Sequence, residues 1–315
     1  MNRALVIALV VAAFTVAGGC GLGAGTSPGG VSLTVTRDFG ARSVAPGVAD
    51  VRAPGGETVM RFLQRRFHVS TRYGGRFVQS VNGIAGDSAA ARPVDWFFYV
   101  NGIESSIGAA DVKLHGGDRV WWDYHDWGSA MSVPAVVGSF PQPLRSGTGG
   151  KRLPVIVACA DGGAPACAEV KRRLDAVGVI PAGGTVNTPS GEQSIRVLVG
   201  RWPQLRDDAV ARRVERGPAV SGVYARFDAA GSRLKALAPT GATARALGAG
   251  SGLVAATRAH DEQPTWLVTG TDDAGVLAAA HSLRESDLVD HFALVLSGPG
   301  QGLPVPVISA AGGRP

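Results

Sequence analysis

The three cysteines of the 315-residue chain carry its most reactive side chains, and their spacing sets one apart from the other two. Cys20 directly follows a run of small residues, whereas Cys159 and Cys167 form an even pair across a turn-rich segment. In an oxidising compartment such a pair forms a disulfide, which we predict here. The rival interpretation is a metal site. Two thiols without a nearby histidine or further cysteine make a poor set of zinc ligands, so we expect no metal and no resident cofactor.

The first 19 residues have the three parts of an export signal. Arg3 supplies the charged start, residues 4–15 form a charge-free apolar run, and small residues precede Cys20. The apolar run is shorter than the roughly 20 residues that a membrane-spanning helix needs. This arrangement resembles the signal of bacterial lipoproteins. The resemblance implies cleavage before Cys20, attachment of an acyl group such as palmitate to its thiol, and anchoring on the extracytoplasmic face of the cell membrane. The alternative is an ordinary secretory signal with a chance cysteine.

Aromatic side chains crowd into two short segments, around Trp96 and Trp122. Because strand side chains alternate, Trp96 lies on the face opposite Tyr99, and Trp122 on the face opposite Trp121. One face must line a core, and an exposed aromatic face usually marks a binding surface. The predicted ligand-binding residues are Trp96, Phe98, Tyr99, Asn101, Trp121, Trp122, Tyr124 and Trp127. The alternatives are that the rings all line the core or are covered by a second domain, and that Asn101 only forms a turn.

Three further groups of residues could do chemistry, and each also has a plainer interpretation. Asp123, His125 and Asp126 could bind a metal weakly or form a solvated strand end. The five arginines between positions 61 and 76 could contact an anionic lipid or ligand, or form a solvated helix face and its flank. Residues 269–273 could hold an anion where a strand turns into a helix, or Asp272 could simply cap that helix.

Catalytic motifs are absent from the sequence. It has no Gly-x-Ser-x-Gly elbow, no His-Glu-x-x-His zinc motif and no phosphate-binding loop. We therefore expect a protein that is not an enzyme. An enzyme with its site near residues 269–273 is the least favoured alternative. The net charge of +6 is distributed among interleaved acidic residues, so we do not expect nucleic-acid binding.

Residues 31–128 have the pattern of a small α+β domain. Val31 to Thr36 alternates apolar and polar residues, as a half-buried strand does. Thr58 is placed to cap a helix with Val59, Phe62 and Leu63 on one face. Further extended segments are expected at 68–73, 77–81, 96–100 and 119–124. Two strands, a helix and then several strands suggest a β-grasp-like arrangement.

Five short motifs in this domain occur in an order that resembles a known family. They are Thr-Arg-Asp-Phe-Gly at 36–40, Gly-Gly-Glu-Thr-Val at 55–59, Gly-Gly-Arg-Phe-Val at 74–78, Trp-Phe-Phe-Tyr-Val-Asn-Gly at 96–102 and Gly-Asp-Arg-Val-Trp-Trp-Asp-Tyr at 117–124. Together they resemble the transcobalamin-like C-terminal domain of bacterial surface proteins. The resemblance implies a β-grasp-like fold, extracytoplasmic display and capture of a small ligand, with cobalamin as one candidate. The helical barrel of the eukaryotic carriers is missing, and no histidine matches a cobalt-ligating position.

The second half of the chain has a different pattern. Residues 129–150 have the composition of an irregular connector, yet the stretch 133–137 is apolar enough to lie along a surface. From Lys151 onwards strands and helices alternate, which predicts an α/β domain with a mixed sheet. The expected strands are 153–159, 194–200, 222–227, 233–237, 253–259, 265–269 and 292–296. The expected helices are 165–177, 204–214 and 272–283.

These patterns give a complete expected organisation. It comprises a signal at 1–19, the lipidated cysteine and a flexible tether at 20–30, the β-grasp domain at 31–128, a linker at 129–150 and an α/β domain at 151–315. We expect an anchored, extracytoplasmic ligand-binding lipoprotein that captures cobalamin or another small molecule for a membrane transporter. The alternative is a cell-envelope interaction protein that binds glycan or another surface protein.

Overall fold

The computed structural model describes residues 29–186, 193–259 and 262–309. Strands hold 34% of the chain and helices 17%, so the fold is mixed α and β with strands dominant. The lipidation site predicted at Cys20 lies outside the described residues. No helix in the described ranges is long and apolar enough to cross a membrane.

The first part of the chain forms two sheets and one helix. Its strands are β1 (Val31–Arg37), β2 (Arg42–Ser43), β3 (Val48–Val51), β4 (Val69–Arg72), β5 (Phe77–Val81), β6 (Ile84–Ala85), β7 (Val94–Val100), β8 (Ile103–Glu104) and β9 (Arg119–Asp126). The larger sheet has the order β2-β1-β9-β7-β8, and β3 also pairs with β1. Strands β1 and β9 run parallel at its centre, whereas β7 is antiparallel to β9. Strands β4, β5 and β6 form a separate antiparallel sheet.

Helix α1 (Val59–Gln64) forms where the sequence predicted it. The Thr58 hydroxyl accepts a hydrogen bond from the Arg61 N–H at 3.3 Å and so satisfies one of the free donors of the first turn. Phe62 and Leu63 are fully buried and pack in one cluster with Trp96 and Trp122. The helix therefore covers one face of the larger sheet.

The second part is built on a seven-stranded mixed sheet. Its strands are β10 (Val155–Cys159), β11 (Ala182–Gly184), β12 (Ile195–Arg201), β13 (Ala225–Phe227), β14 (Leu234–Leu237), β15 (Thr243–Leu247), β16 (Gly252–Thr257), β17 (Thr265–Gly270), β18 (Ala293–Leu296) and β19 (Gly302–Val305). The sheet order is β11-β10-β12-β17-β16-β18-β19. Strands β11, β10, β12 and β17 run parallel to one another, whereas β16 is antiparallel to both β17 and β18. Strands β13, β14 and β15 form an antiparallel sheet of their own.

The helices of this part are α2 (Pro165–Ala176), α3 (Trp202–Leu205), α4 (Ala211–Glu215), α5 (Pro218–Ser221), α6 (Asp273–His281) and α7 (Glu285–Leu288). Helices α2 and α6 cover one face of the sheet, since Val170 and Ala279 belong to the same buried cluster. Helix α6 approaches the start of β16 so closely that a Cβ on Gly275 would overlap the Ser251 carbonyl oxygen. A glycine is therefore required at that contact.

The connector between the two parts is irregular, and it is packed into the molecule. Four of its apolar side chains are at most 2% exposed: Val133, Val136, Val137 and Phe140. Val133 and Val136 join one buried cluster and Val137 and Phe140 another. The connector thus acts as a layer of the core between the first and second parts.

Candidate ligand-binding cleft

One face of the larger N-terminal sheet forms the core of the first part. Trp96 and Trp122 are buried there, and Phe98 stacks on Trp122 with ring centroids 4.8 Å apart. Tyr124 is half-buried and packs beside Trp96 at 5.3 Å. Four of the predicted ligand-binding rings therefore lie on the face that holds α1, because the alternation of strand side chains places them together.

The other face of this sheet is covered by the second part of the chain. Tyr99 and Trp121 are buried at 0% and 2% exposure, and Phe292 packs against both, at centroid distances of 5.7 and 5.2 Å. The expectation of an exposed aromatic face is thus corrected, since the two faces line two cores and the alternative of a covering second domain is what the structure contains. Trp127 is half-buried. Whether any of these rings contacts a ligand stays a prediction.

Asn101 occupies a tight turn between β7 and β8. Its backbone has a φ of 56°, in the left-handed region that Asn tolerates better than most residues. Its side-chain amide donates to the Asp118 carboxylate at 2.8 Å, and its carbonyl accepts from the Arg119 N–H at 2.9 Å. The side chain is buried and engaged by the protein, which fits the turn-forming alternative.

Asp123 and His125 lie inside the protein and not at a solvated strand end. Asp123 is fully buried and accepts hydrogen bonds from the backbone N–H of Phe39 at 3.0 Å, the N–H of Gly40 at 2.8 Å and the hydroxyl of Thr36 at 2.5 Å. Its fourth partner is Nδ1 of His125, at 2.8 Å. Within the described ranges no group of three or more His, Cys, Asp or Glu side chains could hold a metal ion.

A cleft of about 660 Å³ opens where the second part leaves this same sheet face uncovered. Its floor is the end of β1 and β9, including Ser32, Thr34 and Trp121. Its opposite wall is the connector, which contributes Gln142 and Arg145. Helix α7 and the residues after it close one side with Glu285, Val289 and Asp290, and the glycines at 29, 30, 47, 116, 117 and 138 complete the lining.

Charges of both signs line the cleft. The Arg119 guanidinium pairs with Glu285 at 2.7 Å and also donates to the Phe140 carbonyl at 2.7 Å. Burial raises the pKa of Asp290, and the nearby Asp123 carboxylate raises it further. Burial also raises the pKa of Asp118, although the His115 N–H and the Asn101 amide, which donate to it, act in the opposite direction. The arrangement suits a ligand that carries its own mixture of donors, acceptors and charge.

Trp121 is the one predicted ligand-binding residue that lines this cleft. The sequence patterns assign no binding role to residues 115–118 or to the connector. The sequence signal for the cleft is the pair of glycines shortly before each of its floor strands, at 29–30 before β1 and at 116–117 before β9. The approach of Gln142 and Arg145 depends on long-range packing, which local patterns do not reveal.

The strand-to-helix turn at 269–273 serves to start α6. The Asp272 carboxylate accepts from the Gly275 N–H at 2.9 Å and from the Gly250 N–H at 2.7 Å, as the capping alternative requires.

A pocket of about 400 Å³ lies next to this turn, at the carboxyl ends of β10 and β12. There Arg201 and Asp273 approach to 3.5 Å as an exposed pair. Cys159 and Cys167, at the same end of β10, form the predicted disulfide.

The comparisons with known proteins bear on the first part of the chain. Residues 56–126 match the family model described as Domain of unknown function (DUF4430). This range contains three of the five motifs in full and most of a fourth, so it agrees in place with the resemblance found in the sequence. No curated protein is similar to the chain in sequence.

Several solved structures are similar to part of the chain. One of them is described as that of "a putative metal binding protein from Ruminococcus gnavus ATCC 29149". The match covers 31% of this chain and 97% of that chain, with 11% sequence identity and a TM-score of 0.24. At that TM-score the likeness does not bear on the function of this chain.

Proposed function

We propose that this protein is an anchored, extracytoplasmic binding lipoprotein that holds a small polar molecule in the cleft between its two parts. The cleft itself carries the proposal. Its volume of about 660 Å³ falls in the range of about 300–1,000 Å³ that small-molecule sites occupy, and such sites occur preferentially where two packed units meet. The anchor is the predicted lipid on Cys20, and the first part is proposed to be a β-grasp variant because β1 and β9 run parallel at its centre.

The residues of the cleft define the class of ligand. Arg145 is exposed on the connector wall and offers a fork of donors to a carboxylate or phosphate. Asp50 and Asp290 offer acceptors to hydroxyl or ammonium groups. Trp121 gives an apolar edge at the floor. We therefore propose a ligand that is polar, carries both hydrogen-bond donors and acceptors, and has a small apolar part.

Binding is proposed in preference to catalysis. Arg119 is held by Glu285 and by the Phe140 carbonyl, and Asp118 is held by Asn101 and by the backbone N–H of His115. Groups that are already satisfied by one another fix the shape of a site and are poorly placed to exchange protons with a substrate. Cobalamin remains a candidate ligand, and its delivery to a transporter a further proposal, although no histidine lines the cleft to ligate its cobalt.

A substitution that fills the cleft tests the proposal. Gly47 lines the cleft, its backbone is not in the left-handed region, and a Cβ there would make only ordinary contacts, of 3.7 Å to the Leu33 oxygen and 3.9 Å to the Thr34 hydroxyl. Gly47→Phe should therefore fold and obstruct the cleft. Gly248→Phe is the matched control, because a Cβ on Gly248 meets no atom within 4 Å and Gly248 is not part of the cleft.

Two probes are used with both variants. Cyanocobalamin is followed by its absorbance, and soluble disaccharide peptides from cell wall are followed by tryptophan fluorescence. We expect saturable binding of at least one probe, at least ten-fold weaker in Gly47→Phe and unchanged in Gly248→Phe. Equal binding by Gly47→Phe and the parent protein would rule out the cleft. Recovery of the protein only with intact envelope material would favour the interaction-protein alternative.

A further inference from the structure

The hairpin between β4 and β5 presents aromatic side chains to solvent. Tyr73 is 80% exposed and Phe77 is 37% exposed, and their rings meet edge to face with centroids 6.3 Å apart. Ile107, which is 55% exposed, directly precedes Gly108, whose backbone packs against Arg76 of the same hairpin. Apolar side chains of this size on a protein surface mark contact sites when they occur together.

The backbone of Tyr73 has a strained conformation. Its φ is 51°, in the left-handed region that bulky residues rarely adopt, and Gly74 and Gly75 follow with φ values of 69° and 89°. A strained residue that is also exposed gains nothing from burial to offset the strain. Strain of this kind is found where a side chain is presented for function.

The same hairpin carries a strong positive charge. Arg72 directly precedes Tyr73 and Arg76 follows it after two glycines, and Arg61, Arg65 and Arg66 lie earlier, on and just after α1. The sequence has no acidic residue between Glu57 and Asp87. Arg65 pairs with Glu57 at 2.9 Å, whereas Arg76 is 75% exposed and makes only a long 3.9 Å contact with Asp111. Arg72 interacts electrostatically with Asp95. The five arginines outnumber the three neighbouring carboxylates, Glu57, Asp95 and Asp111, so the hairpin and the end of α1 carry a net positive charge.

We propose that this tip, comprising Arg72, Tyr73, Arg76, Phe77 and Ile107, docks on the surface of an anionic lipid bilayer. Aromatic rings sit favourably at the level of lipid headgroups, and arginines beside them attract anionic headgroups. A second copy of this chain would bring one positive surface against another, which disfavours self-association through the tip. Tyr73 and Phe77 line neither the 660 Å³ cleft nor the pocket beside Asp273, so an extended surface suits these two rings better than a small ligand in either site.

Docking through the tip is independent of the ligand cleft and of the lipid on Cys20. It would set the orientation of the folded protein on a membrane, since it fixes a second point in addition to any anchor. Each arginine close to an anionic membrane surface strengthens binding by about five-fold, and the attraction falls as salt screens it.

The test places a tryptophan at the tip of the full chain. Tyr73→Trp is compared with Ile180→Trp, because Ile180 is 85% exposed on another part of the surface. Both proteins are mixed with vesicles of phosphatidylcholine alone and with vesicles in which a third of the lipid is phosphatidylglycerol, each made with and without brominated acyl chains. This readout is local to the substituted residue, so the apolar segment at 4–15 affects both proteins equally.

Quenching of the Tyr73→Trp emission by brominated lipid, only with phosphatidylglycerol and weaker at high salt, is the expected result. Adding Arg72→Gln and Arg76→Gln together to the Tyr73→Trp protein should reduce its affinity for anionic vesicles at least ten-fold in the same assay. The proposal is overturned if Tyr73→Trp is quenched no more than Ile180→Trp, or if the double arginine variant binds anionic vesicles as the parent does. Quenching that is equal on neutral and anionic vesicles would also contradict it.

Discussion

The buried carboxyl group of Asp123 contacts four other residues, Thr36, Phe39, Gly40 and His125. It joins β9 to the turn after β1 through the N–H groups of Phe39 and Gly40, and it orients His125 through Nδ1. His125 in turn stacks between Phe39 and Phe97, with ring centroids 4.5 Å from each. The carboxyl group is tolerated in the core because it accepts three hydrogen bonds, from Thr36, Phe39 and Gly40, and also meets Nδ1 of His125.

Replacing Asp123 with Asn should destabilise the protein by about 2–3 kcal/mol. An amide of the same shape turns one acceptor into a donor, which then faces the backbone N–H of Phe39 or Gly40 and leaves a buried group unsatisfied. Urea denaturation measures the change. Asp126→Asn is the control, because Asp126 pairs with Arg92 near the surface and its loss should cost under about 1 kcal/mol. Equal midpoints for the two variants would show that the buried network contributes little.

The role of Asp123 shows where residue-level sequence reasoning fails. The alternation of side chains correctly separated Trp121 from Trp122, since that property is local to one strand. The burial of Asp123 and His125 depends on residues 36–40, which are more than 80 positions away and fold over the strand end. The pattern Asp-Tyr-His-Asp alone looks like a solvated strand end for that reason.

At the scale of elements, Glu169 clamps α2 to α6. It accepts hydrogen bonds from Arg172 and Arg173 of its own helix, and His281 of α6 meets the same carboxylate at 2.8 Å. The hydrogen bond from Arg172, together with those from His281 and Arg173, lowers the pKa of Glu169 to about 2, despite some opposing effect of burial. The carboxylate is therefore more stable as an anion in the folded protein than in the unfolded chain.

This pKa shift predicts a pH dependence of stability. A depressed folded-state pKa contributes stability above the unfolded value of 4.5, and that contribution is lost as the pH falls towards about 2. Glu169→Gln should therefore be less stable than the parent at neutral pH, and the difference should shrink steadily between about pH 4.5 and about pH 2. Urea midpoints across this range measure it, with Asp175→Asn on the exposed side of α2 as the control. A difference that stays constant with pH would contradict the clamp.

Elements whose apolar pattern is continuous were predicted well, and those shaped by polar contacts were not. Helices α1, α2 and α6 lie within the predicted ranges. The helix predicted at 204–214 is broken into α3 and α4. The carboxylate of Asp208, between them, accepts a hydrogen bond from the Val210 N–H at 2.8 Å and one from the buried Arg196 guanidinium at 2.9 Å, and these contacts turn the chain. Strand β15 was missed because Thr243 to Ala246 are exposed and carry no apolar alternation.

At the scale of the whole molecule, the outer aromatic face of the first sheet joins the two parts. Phe292, just before β18, packs edge to face against Phe39, Tyr99 and Trp121 at centroid distances between 5.1 and 5.7 Å. The same buried cluster continues through Tyr224 and Trp202 into the second part. A connector between two domains that do not pack together is expected to be polar. This connector instead buries Val133 and Val136 in the shared cluster.

Shared burial of this kind predicts that the two parts unfold together. Phe292→Ala should destabilise the protein by about 3–5 kcal/mol, the usual cost of removing a buried aromatic ring, because the cavity adjoins aromatic residues that cannot collapse into it. Urea unfolding should still show one transition by both far-UV circular dichroism and tryptophan fluorescence, since the buried cluster that contains Phe292 is built from residues of both parts. Phe77→Ala, at a ring on the exposed hairpin, serves as the control and should leave the midpoint almost unchanged. If the parts instead folded independently, Phe292→Ala would split the unfolding curve into two steps, and a cleft between them could open and close without unfolding.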